Sequence, residues 1–324
     1  MADGNLALSF HDLAPVQESL HDAMLEALSS EERSIAPKFL YDEAGADLFG
    51  QITRLEEYYP TRTEVGILER YAPEMAAAIG PHARLIEFGA SSSAKVRILL
   101  KALDRPRAYV PIDISADHLR QVAEGIARDF PGLEVVAVCA DYTQPFALPA
   151  EVMMGHGRRV GFFPGSSIGN LEPHDAELFL SQWGRQLGSE GAMLVGVDLR
   201  KDPGVLERAY NDAQGVTAKF TLNLLARANR ELGTDFDLSA FRHDAEWQDA
   251  ESRISINLKS LRDQTVHLDG RAFEVAAGER IHTEYSYKYT VEGFASLARR
   301  SGFEPRAVWA DDAGMFSVHY LEVA

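Results

Sequence analysis

Arg84-Leu85-Ile86-Glu87-Phe88-Gly89-Ala90-Ser91-Ser92-Ser93 reads as a buried strand that runs into a glycine turn and then a helix. Gly89 at the strand end lets a ligand approach the backbone closely. The serines beside the helix start can cap it and present donors. The loop has neither the G-x-G-x-x-G spacing of a dinucleotide site nor the Gly-Lys-Ser/Thr of a phosphate-binding loop. Outward from this turn, β-type runs recur at 108–112, 133–140, 159–163 and 192–197. Helical patterns fill the gaps at 94–103, 116–129 and 173–187. Strands alternating with helices predict an α/β domain: a parallel sheet with helices on both faces and ligands outside the carboxyl ends of its strands.

Beyond residue 201 the pattern changes. Residues 202–232 read as one or two long helices, and 253–289 as strands with turns, including the Asp269-Gly270 hairpin signal. A helix at 291–300 is stopped by Arg299, Arg300 and Gly302. Two strands, 304–309 and 316–323, close the chain and resume the first domain. The expected division is therefore discontinuous, with 63–201 and 289–324 in one domain. Residues 8–62 and 202–288 form the other, an α+β domain whose N-terminal segment is helical and loop-like. The sequence has no internal repeat.

Composition narrows the function. Of 324 residues, 46% are apolar and 25% charged, which excludes disorder over most of the length. No uncharged apolar stretch is long enough to span a bilayer. The start, residues 1–15, lacks a basic region followed by an apolar one, so no signal peptide is expected. A net charge of −17 argues against a nucleic-acid partner. The lone Cys139 lies in an apolar run and reads as a core residue, in keeping with a reducing cytoplasm. The histidines lack H-x-x-x-H or H-x-H spacing near acids, so no metal is expected. The expectation is a cytoplasmic monomer acting on a small molecule, away from membranes.

The second strand ends in Pro111-Ile112-Asp113, 24 residues after Gly89, where a carboxylate can accept from two ribose hydroxyls. The third ends in Ala140-Asp141-Tyr142, where a carboxylate can accept from an adenine amino group and a ring can stack on the base. Either acid alone is more often a cap or turn residue. Glycine, acid and acid on three successive strand ends together fit an adenosyl group, and without a phosphate signature S-adenosylmethionine (SAM) is the best candidate.

Several strings carry a resemblance. Tyr41-Asp42-Glu43-Ala44-Gly45 and Ile52-Thr53-Arg54-Leu55-Glu56-Glu57-Tyr58-Tyr59-Pro60-Thr61-Arg62-Thr63-Glu64 look like the signature of the histidine-specific SAM-dependent methyltransferases, which make trimethylhistidine (hercynine) for ergothioneine synthesis. Gly165-Ser166-Ser167-Ile168-Gly169-Asn170-Leu171-Glu172-Pro173, Lys201-Asp202-Pro203, Tyr210-Asn211-Asp212, Phe236-Asp237-Leu238 and Glu284-Tyr285-Ser286 also match, over about residues 35–320. The resemblance implies a class I, Rossmann-like methyltransferase domain interrupted by a second, substrate-binding domain. It implies that Gly89, Lys95, Asp113, Asp141 and Tyr142 hold SAM. It further implies that Tyr58, Asn170, Tyr210, Glu284 and Ser286 hold the amino acid, with Tyr41 close by. Many relatives carry a second glycine in the cofactor loop, and Ile256 stands where some have methionine near the imidazole.

These roles have physical content. Asn170 reads otherwise as a helix cap or Asx-turn, and Tyr210 as half-buried packing. Tyr58 and Tyr59 are adjacent and cannot both face one way; the family pattern selects Tyr58. Glu284 and Ser286 stand two apart in a strand, so both side chains share a face. A carboxylate and a hydroxyl there can meet both nitrogens of an imidazole. Methyl transfer from a sulfonium is an in-line displacement that needs a neutral amine held at near-attack distance. Tyr41 and Tyr58 are the catalytic candidates: hydroxyls that orient the amine, and rings that hold the methylated cation. Two rivals stay open: an Nα-methyltransferase for tryptophan or tyrosine, and a non-catalytic SAM-binding protein.

Overall fold

The computed structural model describes residues 7–13, 19–90 and 93–324. Ser91 and Ser92 of the glycine loop, and residues 1–6 and 14–18 of the chain start, lie outside the described residues. In chain order the elements are β1 (Leu8–Asp12), α1 (Leu20–Ser29), α2 (Glu43–Ile52), α3 (Tyr59–Ile79), β2 (Arg84–Phe88), α4 (Ser93–Ala102), β3 (Ala108–Asp113), α5 (Ala116–Asp129) and β4 (Glu134–Cys139). Next come α6 (Ala150–Met153), β5 (Arg159–Phe163), α7 (Pro173–Leu187), β6 (Ala192–Asp198), α8 (Pro203–Tyr210), α9 (Val216–Leu232), β7 (Phe241–Gln248) and β8 (Arg253–Ser260). The chain ends with β9 (Gln264–Leu268), β10 (Arg271–Val275), β11 (Arg280–Tyr287), α10 (Val291–Arg300), β12 (Phe303–Ala310) and β13 (Phe316–Val323). They fall into two compact units.

The first unit comprises Met1–Val16, Arg62–Leu199 and Tyr289–Ala324, within the described residues. Its eight-stranded sheet runs β1-β4-β3-β2-β5-β6-β13-β12. The strands up to β6 pair in parallel, and β13 lies antiparallel between β6 and β12. Strands β2 to β6 read as near-continuous apolar runs because both sheet faces are covered. One face packs Leu85, Tyr109 and Phe162 under Leu68, Leu99 and Ile126 of helices α3, α4 and α5. On the other, Ile86, Val110 and Val195 pack under Leu180, Trp183 and Leu297 of α7 and α10. Strand order reverses at β2, whose neighbours are β3 and β5. In open α/β sheets that reversal opens the ligand crevice at the carboxyl ends of the strands.

The closing strands rejoin the sheet of the first domain antiparallel, as a hairpin. One feature departs from the sequence reading. Leu8–Asp12, expected in the second domain, pairs in parallel with β4, with Leu8 opposite Val135. This short edge strand is only partly buried, held by its ladder and by packing such as Arg120 stacked 4.0 Å over Phe10. Leu8 and Phe10 alternate with Ser9 and His11, but two apolar positions in five residues are too short a period-2 signal to mark a strand.

The second unit comprises Gln17–Thr61 and Arg200–Lys288. Its core joins Met24, Leu28 and Leu40 to Phe220, Leu224, Leu258 and Ile281. A three-stranded antiparallel sheet, β11-β8-β7, and the β9–β10 hairpin complete it. The helical stretch after residue 201 breaks into α8 and α9 because Gly215, at φ +67°, starts the second helix and Asp212 takes up its first N–H groups. Its carboxylate accepts from the Val216 and Thr217 N–H groups at 2.9 and 2.8 Å. Among the described residues, no helix is long and apolar enough to cross a membrane.

Candidate active site

In the first unit the expected cofactor residues meet at the carboxyl edge of the sheet. Gly89 has φ +72° and donates its N–H to the Ile112 carbonyl (2.9 Å). A side chain at Gly89 would be strained and would meet the Tyr142 hydroxyl at 3.5 Å. Asp113 ends β3; its Oδ1 accepts from the Ser115 N–H at 2.9 Å. Burial raises its pKa against that hydrogen bond. Asp141 follows β4 in an Asx-turn, with Oδ1 accepting from the Thr143 N–H and hydroxyl at 2.9 and 2.6 Å. The Tyr142 ring packs edge-on to Phe88, Phe163 and Phe179. Glu87, one residue before Phe88, is buried and takes a hydrogen bond from Tyr109. Desolvation, offset in part by Tyr109 and Lys95, pushes its carboxyl pKa to about 8.

Lys95 is engaged in a way the sequence did not reveal. Its ammonium pairs with Glu64 of α3, whose side chain is 0% exposed. The Glu64 carboxylate also accepts the Gly165 N–H with both oxygens, at 3.0 and 2.9 Å. Glu64 approaches the backbone of β6 so closely that a Cβ on Gly196 would collide with its Oε1. One buried carboxylate thus ties the lysine of the cofactor loop to the loop after β5. That loop turns through consecutive positive-φ residues, Gly165 at +82° and Ser166 at +57°. Ser166 lies in the left-handed region, which disfavours side chains by about 1 kcal/mol; its hydroxyl accepts from the Asp198 N–H at 2.9 Å. The loop ends at Asn170, which is exposed. Asn170 is not the cap of α7; that position is Glu172.

In the second unit the tyrosines form an aromatic chain. Tyr58 is half-buried, edge-on to Phe49 and to Tyr210 with ring centroids 6.4 and 6.3 Å apart. Tyr41, 43% exposed, is edge-on to Phe49 and Phe220. Tyr59 is buried and accepts a hydrogen bond from Lys201 Nζ at 2.6 Å. Tyr210 closes α8, and β7 fixes its backbone: His243 Nε2–H donates to the Tyr210 carbonyl at 2.8 Å. Because a carbonyl only accepts, this bond sets the tautomer and leaves Nδ1 facing Thr221 Oγ1 at 3.0 Å. Burial lowers the His243 pKa, which favours the neutral ring.

Glu284 and Ser286 stand on β11 opposite Ile256 and Ile254 of β8. Directly paired residues share a sheet face, so both polar groups and both isoleucines line one surface. Ser286 Oγ lies 2.7 Å from the Tyr210 hydroxyl. Lys288, which sequence reasoning missed, donates to both at 2.7 and 2.8 Å. Among the described residues, no hydrogen bond to the Glu284 carboxylate is present. Desolvation, opposed by the Lys288 charge, raises its pKa to about 7. Phe49, Phe220, His243 and Lys288 carried no motif of their own; Glu64 stood in the quoted signature but without a role. No three His, Cys, Asp or Glu converge as metal ligands among the described residues.

Known proteins were compared with this chain. A family model described as histidine-specific methyltransferase, SAM-dependent, matches residues 20–323. Histidine N-alpha-methyltransferase of Mycolicibacterium smegmatis is 42% identical over 306 residues, covering 93% of this chain and 94% of that protein. The histidine N-alpha-methyltransferase of Mycobacterium tuberculosis is 39% identical over 305 residues, with the same coverage. Ergothioneine biosynthesis protein 1 of Neurospora crassa is 32% identical over 286 residues, 86% of this chain and 32% of that longer protein.

Proposed function

The chain belongs to the SAM-dependent, histidine-specific methyltransferase family, and on that premise we propose that it methylates the α-amino group of L-histidine three times. The product is hercynine, on the way to ergothioneine; relatives named histidine N-alpha-methyltransferase and ergothioneine biosynthesis protein 1 support the substrate and the pathway. The observation that carries the reading is the shared face of Glu284 and Ser286 beside Tyr210. A carboxylate that accepts and a hydroxyl that donates complement a neutral imidazole, which has one N–H and one lone pair.

The residues at the carboxyl edge of the first sheet fit SAM. Gly89 lacks a Cβ where a side chain would meet Tyr142; Asp113 ends β3, and Asp141 follows the neighbouring strand β4. Gly89, Lys95, Asp113, Asp141 and Tyr142 would hold it, with Asp113 accepting from the ribose. When bound, SAM supplies an electrophilic methyl group on a sulfonium.

What remains for the protein is placement. Glu284 and Ser286 grip the ring, Ile256 packs against it, and Tyr210 and Asn170 contact the amino acid. The Tyr58 hydroxyl orients the amine lone pair, which has to be free of its proton before attack. The faces of Tyr41 and Tyr58 stabilise the growing ammonium by cation–π attraction without burying a counter-charge. No protein acid is needed at the carbon, and no metal enters the proposal. The net charge of −17 supports a small-molecule enzyme without a nucleic-acid partner, and the lone buried Cys139 supports a cytoplasmic place; a monomer acting away from membranes completes the proposal. The test is incubation with SAM and a mixture of amino acids, read by mass spectrometry. Histidine is expected to be the amino acid that gains mass, by up to three methyl groups; selective consumption of tryptophan or tyrosine would reject the assignment.

A further inference from the structure

Lys288 follows β11 and is 3% exposed. Its backbone is pinned at both ends: its N–H donates to the Ser252 carbonyl, and its carbonyl accepts from Ser252 Oγ, each at 2.8 Å. Its ammonium lies 2.8 Å from the Tyr210 hydroxyl and 2.7 Å from Ser286 Oγ, and those oxygens are 2.7 Å apart. It also sits 4.9 Å from the centroid of the Tyr210 ring.

A proton count follows from this triangle. An ammonium has no acceptor, so it donates in both contacts, and each hydroxyl has one proton and two lone pairs. Lys288 therefore occupies a lone pair on each hydroxyl, and either hydroxyl can donate between them. We infer that Lys288, by donating to Ser286 Oγ, turns the serine proton toward the substrate ring, and is thereby a positioning residue that sets the site's specificity for a neutral imidazole. The ring's lone-pair nitrogen meets Ser286 and its N–H meets Glu284. An imidazolium presents no lone pair, and a hydrocarbon ring presents neither group. This deepens the proposed function and rests on its assignment of Glu284 and Ser286 to the ring.

The electrostatics point the same way. Lys288 is the charged neighbour that favours the ionised form of Glu284 against desolvation, and the residue across the ladder from Glu284 is the uncharged Ile256. One buried cation thus supports both halves of the recognition, holding an acceptor at Glu284 and a donor at Ser286.

The test uses the full chain with SAM and histidine. Lys288→Met preserves the stem and removes the donors. It is expected to lower kcat/KM for histidine about tenfold or more, mainly through KM. SAM affinity by calorimetry should stay within about twofold of wild type, and the preference for histidine over phenylalanine should narrow. Because Lys288 acts through Ser286, Ser286→Ala combined with Lys288→Met should be within about twofold of the worse single variant. Lys288→Arg, which keeps donors and charge, should retain the wild-type preference. Unchanged kcat/KM in Lys288→Met, or losses that multiply in the double variant, would overturn the inference. Should Lys288→Met fail to fold, a folded Lys288→Arg that loses the preference overturns it equally. Wild-type inactivity on histidine, read first in the same assay, would reject the proposed function and this inference with it; the variant results bear on Lys288 alone.

Discussion

Glu284 stands directly across from Ile256 on the β8–β11 ladder, so a carboxylate and a branched alkane share one face of one sheet. The alkane desolvates the acid, and the acid gives an otherwise apolar wall one hydrogen-bond acceptor. Glu284→Ala strands the imidazole N–H, a loss of about 1–3 kcal/mol. Activity on histidine should fall about tenfold or more. The ratio of kcat/KM for histidine over tryptophan or phenylalanine should fall with it, and adding a change at Ile256 should move it further. A wild-type ratio in Glu284→Ala would remove Glu284 from specificity.

Titration of the same group gives a pH signature. Desolvation raises the Glu284 pKa to about 7, so the carboxylate that accepts from the ring gains population as pH rises through that value. Wild-type kcat/KM for histidine should therefore climb, relative to Glu284→Gln, between about pH 6 and 8. Histidine's own titrations are common to both enzymes and cancel in the ratio. A pKa raised in the folded state also means that this group stabilises the ligand-free protein below the ordinary carboxylate pKa. That contribution is lost as pH rises through about 7. Melting curves of Glu284→Gln should lack that loss.

Glu64 holds Lys95 and the Gly165 N–H from a wholly buried position. Glu64→Ala leaves the lysine without its counter-charge and should cost about 3–5 kcal/mol of stability. Gly196→Ala forces a methyl group against the same carboxylate and should cost about 1–3 kcal/mol. Denaturant unfolding of both variants checks this; midpoints and slopes equal to wild type would show that the pair carries no load.

For the cofactor edge, Asp113→Ala should weaken SAM binding by about 1.5–3 kcal/mol, more than tenfold, through the lost charge-assisted hydrogen bonds. Calorimetry is the readout, and an unchanged affinity would move SAM away from Asp113.

The sheet of the first unit was legible because β2 to β6 are buried on both faces and helices separate them at regular spacing. The edge strands were not. Leu8–Asp12 alternates Leu8 and Phe10 with polar residues over only five positions, and β7 alternates Phe241, His243, Ala245 and Trp247 with Arg242, Asp244, Glu246 and Gln248. The period of two is present in both, but too few strongly apolar residues carry it to mark a strand without its ladder. Among the candidate residues, Glu284 and Ser286 were found by period two within one strand. Lys288 escaped because its ammonium is placed by contacts to Tyr210, 78 residues away in sequence. Glu64 stood in the quoted signature, yet its partner Lys95 lies on another helix, a pairing that no local spacing encodes.

The central claim, methylation of the histidine α-amine, is tested most directly on the product. Histidine should be incubated with SAM carrying a labelled methyl group, and the isolated product examined by NMR and fragmentation mass spectrometry. The account predicts one trimethylammonium signal, with all three methyl groups lost with the amine and the imidazole unmodified. A methyl group on a ring nitrogen, or histidine recovered unchanged, would contradict it.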